Sequence, residues 1–347
     1  DREIACDSAV LQMISADEYQ AYGTTLINFA EKISSFSSPL AVGMSGNFRQ
    51  MKRRILNIAV FRKETLYQKM RALIIYLVIS AVFIGCTPIL SIDASTQSVY
   101  HFSDTDKNIS LLDISETFGT YDGSFVLYDN NLDSWKIYDL EEATKRIPPE
   151  STYKIYDALL GLESGIITPE HSSMTWNGDA FPFPSWEADQ DLNSAMQNSV
   201  NWYFQAIDSQ LGINRVQEFL NKIEYGNQTT SSNLDLYWSD FSLKISPLEQ
   251  VTLLKKFNTN EFHLNSQNVF SVKNAIKIAS TPNGNFYGKT GTGRVNGQDI
   301  NSWFIGYVET SDNSYYFATN IQSDSNATGK KAFEITSDIL KKLHIWN

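Results

Sequence analysis

Residues 109–347 predict an α/β (α+β) domain, with an antiparallel sheet flanked by helices and the two ends of the segment sharing that sheet. Three observations predict it. SFVLYD (124–129) and SWKIYD (134–139) are β-rich runs joined through NNLD, the pattern of a hairpin. Helical patterning then fills much of 151–260. Strand patterns return in NFYGKTGTG, SWFIGYVET and YYFATNI before a closing helix near 328–343. Strands at both ends with helices between them fit one sheet covered by a helical lobe. On that plan Ser151, at the head of the first long helical pattern, begins a helix buried between sheet and lobe.

The rest of the chain is of a different kind. Its 347 residues leave room for one large domain and something more. Apolar residues at 42% and charged residues at 19% exclude a disordered chain, and 13% aromatics suit half-buried strands. A net charge of −11 gives no footing for sequence-independent nucleic-acid binding. That average hides a division. Residues 1–90 hold ten Lys/Arg against seven Asp/Glu, whereas residues 91–347 hold 18 against 32.

Between the two lies ALIIYLVISAVFIGCTPIL (72–90), nineteen positions without a charged residue, about enough to cross a bilayer core. A buried core helix is the competing reading. The flanks argue against it, because eight Lys/Arg lie in 49–71 and none follows the run until Lys107. By the positive-inside bias the N-terminal side is cytoplasmic and the long C-terminal part lies outside the cell membrane. The expected order is a helical cytoplasmic remnant (1–48, with a helix over 8–35 and a loop over SSPLAVGMSGNF), a basic segment (49–71) and a transmembrane helix (72–90). A polar linker (91–108) and the external domain (109–347) follow. The first residue, Asp1, already stands in a helical pattern, so the chain is expected to be a piece of something longer. Cys6 and Cys86 fall on different sides of this topology and cannot pair. His101, His171, His263 and His344 have no ligand-like spacing, so no metal is expected in the external part.

The chemistry starts from one stretch, RIPPESTYKIYDALLGLESGII (146–167). Two prolines precede Ser151, and Lys154 follows three residues later on the same helical face, where an amine can take a proton from a hydroxyl. Prolines that start a helix whose first turn happens to hold a serine and a lysine would look the same. A Ser-x-x-Lys alone arises by accident about once or twice in a chain this long. A second signal changes that. YGKTGTG (287–293) sets Lys289 and Thr290 beside Gly291, Thr292 and Gly293 on a strand edge, where glycine lets another chain approach the backbone. Ser-x-x-Lys paired with Lys-Thr-Gly marks serine penicillin-binding proteins and β-lactamases.

From about residue 124 onward the chain resembles class D β-lactamases. It resembles more closely the external penicillin-binding domain of the β-lactam-sensing signal transducers, receptors that carry a cytoplasmic metalloprotease. GSFVLYDNNLDSWKIYD, PPESTYKIYDALLGLESGIITPE, QNSVNWYFQ, YGN (225–227), YWSDFSLKISPLEQ and YGKTGTG carry the resemblance in order. EIACD (3–7) is similar to the Glu-x-x-x-Asp element that follows the zinc-binding His-Glu-x-x-His helix of that metalloprotease. Glu3 would then be a remnant zinc ligand, with zinc expected only in the complete protease region.

The resemblance implies a serine β-lactamase/transpeptidase fold and a set of roles. Ser151 is the nucleophile, Lys154 its general base, and Ser199 relays protons to the leaving nitrogen. Lys289 and Thr290 with Thr292 hold the drug's carboxylate, beside Gly291. Backbone N–H groups of Ser151 and Thr292 form the oxyanion hole. An amine that ordinarily titrates at about 10.4 must come down by several units to act as a base near neutrality. Burial can do that, and so can CO2, which the family adds to the lysine as a carbamate supported by Trp238.

One departure bears on function. Class D hydrolases carry an apolar residue, usually Val, where this chain has Asn201. A polar amide beside the lysine would hydrogen-bond the amine and favour loss of CO2, leaving no base to activate water once the serine is acylated. The expectation is therefore a membrane-bound receptor acylated by penicillins and cephalosporins, with little turnover, signalling inward to a cytoplasmic repressor target and inducing resistance genes. A membrane-anchored class D β-lactamase and a D,D-transpeptidase or carboxypeptidase are the alternatives. Hydrolases also carry an arginine near the last helix for the substrate carboxylate. Lys330 and Lys331 stand there instead, so that role is unassigned.

Overall fold

In the computed structural model the described residues are 2–34, 48–63, 67, 70, 71, 73–76, 98–103, 105, 107–231, 233–235 and 237–346. The chain divides into two units, Asp1–Ile89 and Leu90–Asn347.

The first unit contains helices α1 (Arg2–Met13), α2 (Tyr19–Ser34) and α3 (Phe48–Val60). A single helix was expected over 8–35, but the chain breaks after Met13. The Glu18 carboxylate accepts both the backbone N–H and the hydroxyl of Ser15 at 2.8 Å, which starts a new helix instead of prolonging the old one. Asp7 is buried beneath Arg54, which donates twice to its carboxylate at 2.7 Å, while Tyr22 donates from 2.9 Å. Burial pushes the Asp7 carboxyl up, and these donors outweigh it and leave it below its ordinary value. Most of the loop expected over 37–48, and all of the span expected over 72–90 except 73–76, lie outside the described residues. Among the described residues no helix is long and apolar enough to cross a membrane.

The second unit is built on a seven-stranded sheet. Its strands are β1 (Asn108–Leu111), β2 (Asp122–Asp129), β3 (Ser134–Tyr138), β4 (Lys277–Thr281), β5 (Gly284–Val295), β6 (Gln298–Glu309) and β7 (Ser314–Gln322), in the order β1-β3-β2-β7-β6-β5-β4. The expected hairpin is β2–β3, with Phe125 opposite Tyr138 and Asp129 opposite Ser134. The N-terminal hairpin and the C-terminal strands meet where β2 pairs with β7.

The sheet is mixed, not purely antiparallel as expected, because β1 runs parallel to β3. Part of the expected linker is the cause. Tyr100 donates its N–H to Thr144 and Arg146 donates to Ser98, both at 2.8 Å, so the incoming chain is fastened to the domain before β1 begins. It then runs alongside the outer edge of β3 and crosses over through α4 (Ser115–Phe118) to reach β2. Strand β1 is four residues of NISL, too short and too polar to read as a strand.

Each face of the sheet has its own core. The larger combines β2, β3, β6 and β7 with α5 (Leu140–Thr144), α6 (Lys154–Glu163), α7 (Leu192–Gln197), α8 (Asn201–Leu211), α9 (Ile213–Ile223), α10 (Pro247–Asn258) and α11 (Ser266–Ala275). The smaller packs Phe125, Phe286, Phe304 and Phe317 against α12 (Gly329–Lys342). The alternation of β5 sorts its residues between the two. Phe286 joins the smaller core and Tyr287 the larger, so Lys289 and Gly291 face the helical lobe with Tyr287. Strand β4 pairs with β5 only as far as Tyr287. From Lys289 onward that side of β5 has no strand beside it among the described residues, which is the edge the KTGTG motif predicts.

Candidate active site around Ser151 and Lys154

The prolines before Ser151 do more than start a helix. The Pro148 carbonyl accepts the Trp303 indole N–H at 2.8 Å and the Asn301 amide at 3.2 Å, which ties the turn to β6. Pro149 O accepts from the backbone N–H and the hydroxyl of Thr152. Glu150 takes φ +52, a left-handed conformation rare outside glycine, and opens a 3₁₀ turn (Glu150–Tyr153) that carries Ser151. The α-helix proper starts at Lys154, so nucleophile and base straddle the junction of the 3₁₀ turn and α6.

Lys154 is almost wholly buried, 1% exposed. Its Nζ donates to Ser151 Oγ at 3.0 Å and to Asn201 Oδ1 at 2.8 Å, and it lies 4.1 Å from the centroid of the Trp238 ring. Burial holds this amine well below the ordinary lysine range, and the nearby Lys289 pushes in the same direction. An amine brought down so far can be neutral near pH 7 and can accept the proton of the hydroxyl it touches. Trp238 donates no hydrogen bond from Nε1, although that atom is buried beside the amine. Its backbone carbonyl accepts from Glu150 N at 3.1 Å.

Ser199 also sits at positive φ, +53, at the joint between α7 and α8. Lys289 Nζ donates to Ser199 Oγ and, at 3.0 Å, to the carbonyl of Thr290. Burial brings the Lys289 amine down to about 7. Two lysines with lowered proton affinity therefore flank two serines, an arrangement able to move a proton from one side of a ligand to the other. Thr292 accepts the Gly329 N–H at 2.9 Å on its hydroxyl, which joins β5 to the start of α12.

Gly291 and Gly293 are required by close approach. A Cβ at Gly291 would lie 3.0 Å from Glu150 Cβ and 3.2 Å from Ser151 N, and one at Gly293 would lie 2.3 Å from Glu150 Oε1. The glycines of the motif thus let β5 lie against the turn that holds the nucleophile.

In front of these groups opens a cavity of about 370 Å³ lined by Ser151, Ser199, Asn201, Thr290, Gly291 and Thr292. Lys154, Trp238 and Lys289 stand behind that lining. The sequence reading missed the six other residues of the wall: Phe183, Ser185, Trp186, Asn198, Arg294 and Asp299. Arg294 pairs with Asp299 at 2.7 Å and is the one cation in the lining. Alternation along β5 does not reveal it, because a register shift between Gly293 and Arg294 interrupts that pattern. Lys330 and Lys331 are not part of the wall, and Lys331 pairs with Glu334 at 3.2 Å.

Glu3 belongs to the other unit, where its carboxylate pairs with Arg54 at 3.1 Å. Because Glu3 and Asp7 share that guanidinium, and no group of three or more metal-binding side chains occurs among the described residues, these residues alone do not make a zinc site.

Comparison with known proteins agrees with this geometry. A family model described as the penicillin-binding protein transpeptidase domain matches residues 120–341, and one described as BlaR1 peptidase M56 matches residues 1–58. The regulatory protein BlaR1 of Bacillus licheniformis is 41% identical over 350 residues, covering 100% of this chain. The chain spans 58% of the length of that relative. Among solved structures, the C-terminal domain of the Bacillus licheniformis BlaR penicillin-receptor is 45% identical with a TM-score of 0.68, covering 70% of this chain and 99% of that one. The class D β-lactamase BAT-2 is 36% identical with a TM-score of 0.64, covering 68% of this chain and 97% of that one. The serine β-lactamase/transpeptidase fold expected from the motifs is the fold found. By its matched length, and by a serine and a lysine in contact behind a KTGTG strand edge, the chain belongs to the penicillin-binding protein transpeptidase domain family.

Proposed function

We propose that the chain is most of a membrane-tethered β-lactam receptor, in which Ser151 is esterified by penicillins and cephalosporins and the long-lived acyl-protein signals inward. The contact of Lys154 Nζ with both Ser151 Oγ and Asn201 Oδ1 is the observation that carries this reading. With the amine neutral, Ser151 O–H donates to its lone pair, and Ser151 Oγ attacks the lactam carbonyl. The new C–O bond forms as the ring C–N bond breaks. Backbone N–H groups of Ser151 and Thr292 would receive the developing oxyanion. The proton held by Lys154 returns through Ser199 to the ring nitrogen, and Lys289, titrating at about 7, holds that serine in place. Thr290 and Thr292 offer hydroxyls to the drug carboxylate.

Persistence follows from what comes next. Hydrolysis of the ester needs a base facing water, and Asn201 Oδ1 already holds the amine. The unpartnered indole N–H of Trp238 beside Lys154 fits a carbamate, which Lys154 and Trp238 would hold and which would supply a carboxylate base. That orphaned donor favours a second reading, a class D β-lactamase with turnover. The Asn201 contact favours the receptor, as does the likeness to a regulatory protein and to a penicillin-receptor.

The membrane part of the proposal rests on the uncharged run 72–90 and the basic residues before it. Four described residues of that run, Leu73 to Tyr76, are helical and exposed. A cytoplasmic repressor as the downstream target, and zinc in a complete protease region, belong to the same proposal. One experiment separates the readings. Membranes containing the full chain are labelled with a fluorescent penicillin and the label is followed for an hour. Persistent label on the peptide containing Ser151, absent in Ser151→Ala, is the expected result. Loss within seconds would identify the hydrolase, release of D-Ala from a peptide substrate would identify the transpeptidase or carboxypeptidase, and no adduct at all would overturn the assignment.

A further inference from the structure

Beneath Lys154 lies a pair of acids with no part in the steps above. From the 3₁₀ turn into α6, Ser151, Lys154 and Asp157 follow one another at three-residue spacing, so the carboxyl of Asp157 continues the column formed by hydroxyl and amine. On α8, Asp208 stands seven residues beyond Asn201, two helical turns along the same face. The helices meet closely, since a Cβ at Gly161 of α6 would lie 2.9 Å from Ile207 of α8. Both carboxyls are wholly buried. Neither oxygen of Asp157 has a hydrogen-bond partner, and only one of Asp208 does, from the Tyr237 hydroxyl at 3.3 Å. Buried acids left so poorly satisfied are costly, and packing alone gives no reason to keep them.

We propose that Asp157 and Asp208 form a positioning pair that sets the charge of Lys154, keeping its proton affinity up and opposing its conversion to a carbamate. The inference rests on the receptor reading, because it concerns the base that reading invokes. Burial raises both carboxyls, and repulsion between them adds to the rise at Asp157. Three buried groups then share two protons: a neutral amine over two acids, or an ammonium over one acid and one carboxylate. Moving between these leaves the net charge unchanged, so an ammonium that draws its proton from either acid has its countercharge close at hand. A carbamate would put a second anion into the same dry space.

Other charged and titratable groups face this cluster. Lys289 on β5 lowers the proton affinity of Lys154, while Glu150, in the turn before α6, raises it. Tyr153 and Tyr237 face both acids and Tyr203 faces Asp157, as phenols that burial pushes up and keeps neutral, and Asp235 acts on Asp208 from the loop beyond α9. The one other carboxylate on α6 and α8, Glu163 at the end of α6, accepts instead from Asn265 N–H and the Asn268 amide.

The test uses the full chain with Asp157→Asn and, separately, Asp208→Asn, changes that keep shape and remove ionisation. The rate of labelling by fluorescent penicillin is measured from pH 5.5 to 9. In detergent, 13C-bicarbonate is added and the carbamate resonance is read by NMR. The midpoint of the labelling profile is expected to move down by about one unit in either variant, and the carbamate signal to rise at least about two-fold as more amine becomes neutral. Unchanged midpoints with an unchanged carbamate signal would overturn the inference while the labelled wild type leaves the receptor reading standing. A fall in rate equal at every pH would also overturn it, because it would mean a structural role alone. A wild type that takes no label would remove the receptor reading instead, and the NMR comparison would still decide the charge-setting role.

Discussion

At Asn201 the side-chain oxygen meets Lys154 Nζ at 2.8 Å, where an aliphatic side chain would leave the amine dry. Asn201→Val removes that acceptor and keeps comparable volume. Its acyl-protein is expected to lose label at least about ten-fold faster than wild type, a change of about 1.4 kcal/mol in barrier, when a chase of unlabelled drug follows the fluorescent one. An unchanged lifetime would show that the amide is not what preserves the ester. Arg294 calls for a different comparison. As the one cation in the cavity wall it is set to meet the drug's carboxylate, in competition with Asp299. Arg294→Gln should slow labelling by a penicillin about ten-fold and leave a penicillin methyl ester unaffected. Equal effects on acid and ester would rule the contact out. Neither Arg294 nor the buried acids could be singled out from the sequence, because a charge on a strand or helix declares its neighbours only after the chain has folded.

At the scale of elements, much was legible. The hairpin, the helical lobe, the strand edge at KTGTG and the closing helix followed from period-two and period-3.6 patterning, and they stand where those patterns set them. The parts that were not legible are short or set by distant contacts: β1, the break before α2, and the 3₁₀ turn that carries Ser151. That turn is held by residues about 150 positions away, through Pro148 O to Trp303 and Asn301, and no local signal announces it. The fit between turn and strand gives a prediction. Gly291→Ala would bring a methyl group to 3.0 Å from Glu150 Cβ and 3.2 Å from Ser151 N, pushing nucleophile and strand apart. A displacement well under 1 Å should slow labelling about a hundred-fold with little change in melting temperature. Wild-type labelling in that variant would mean that the approach is slack.

For the molecule as a whole, the buried acids make stability depend on pH in an unusual direction. Burial raises Glu150 from 4.5 to about 8, against hydrogen bonding by Asn301. Below the lower value folded and unfolded chains both hold the proton. Between the two values only the folded chain keeps it, so stability falls as the pH rises toward about 8, and Asp208 adds in the same direction. Melting measured in detergent should therefore be higher near pH 5 than near pH 8. Glu150→Gln should raise the pH 8 midpoint by about 3 °C and change the pH 5 midpoint little. A flat profile in the wild type would contradict the burial argument. Where the chain enters the second unit has a mechanical side as well. Ser98 and Tyr100 are stitched to Arg146 and Thr144, five and seven positions ahead of the nucleophile. A pull from the N-terminal side would load those two clasps before anything else among the described residues of the unit. A drug that shifts the proline turn would slacken or tighten them from within, and faster amide exchange at Tyr100 and Arg146 on acylation is the sign to look for.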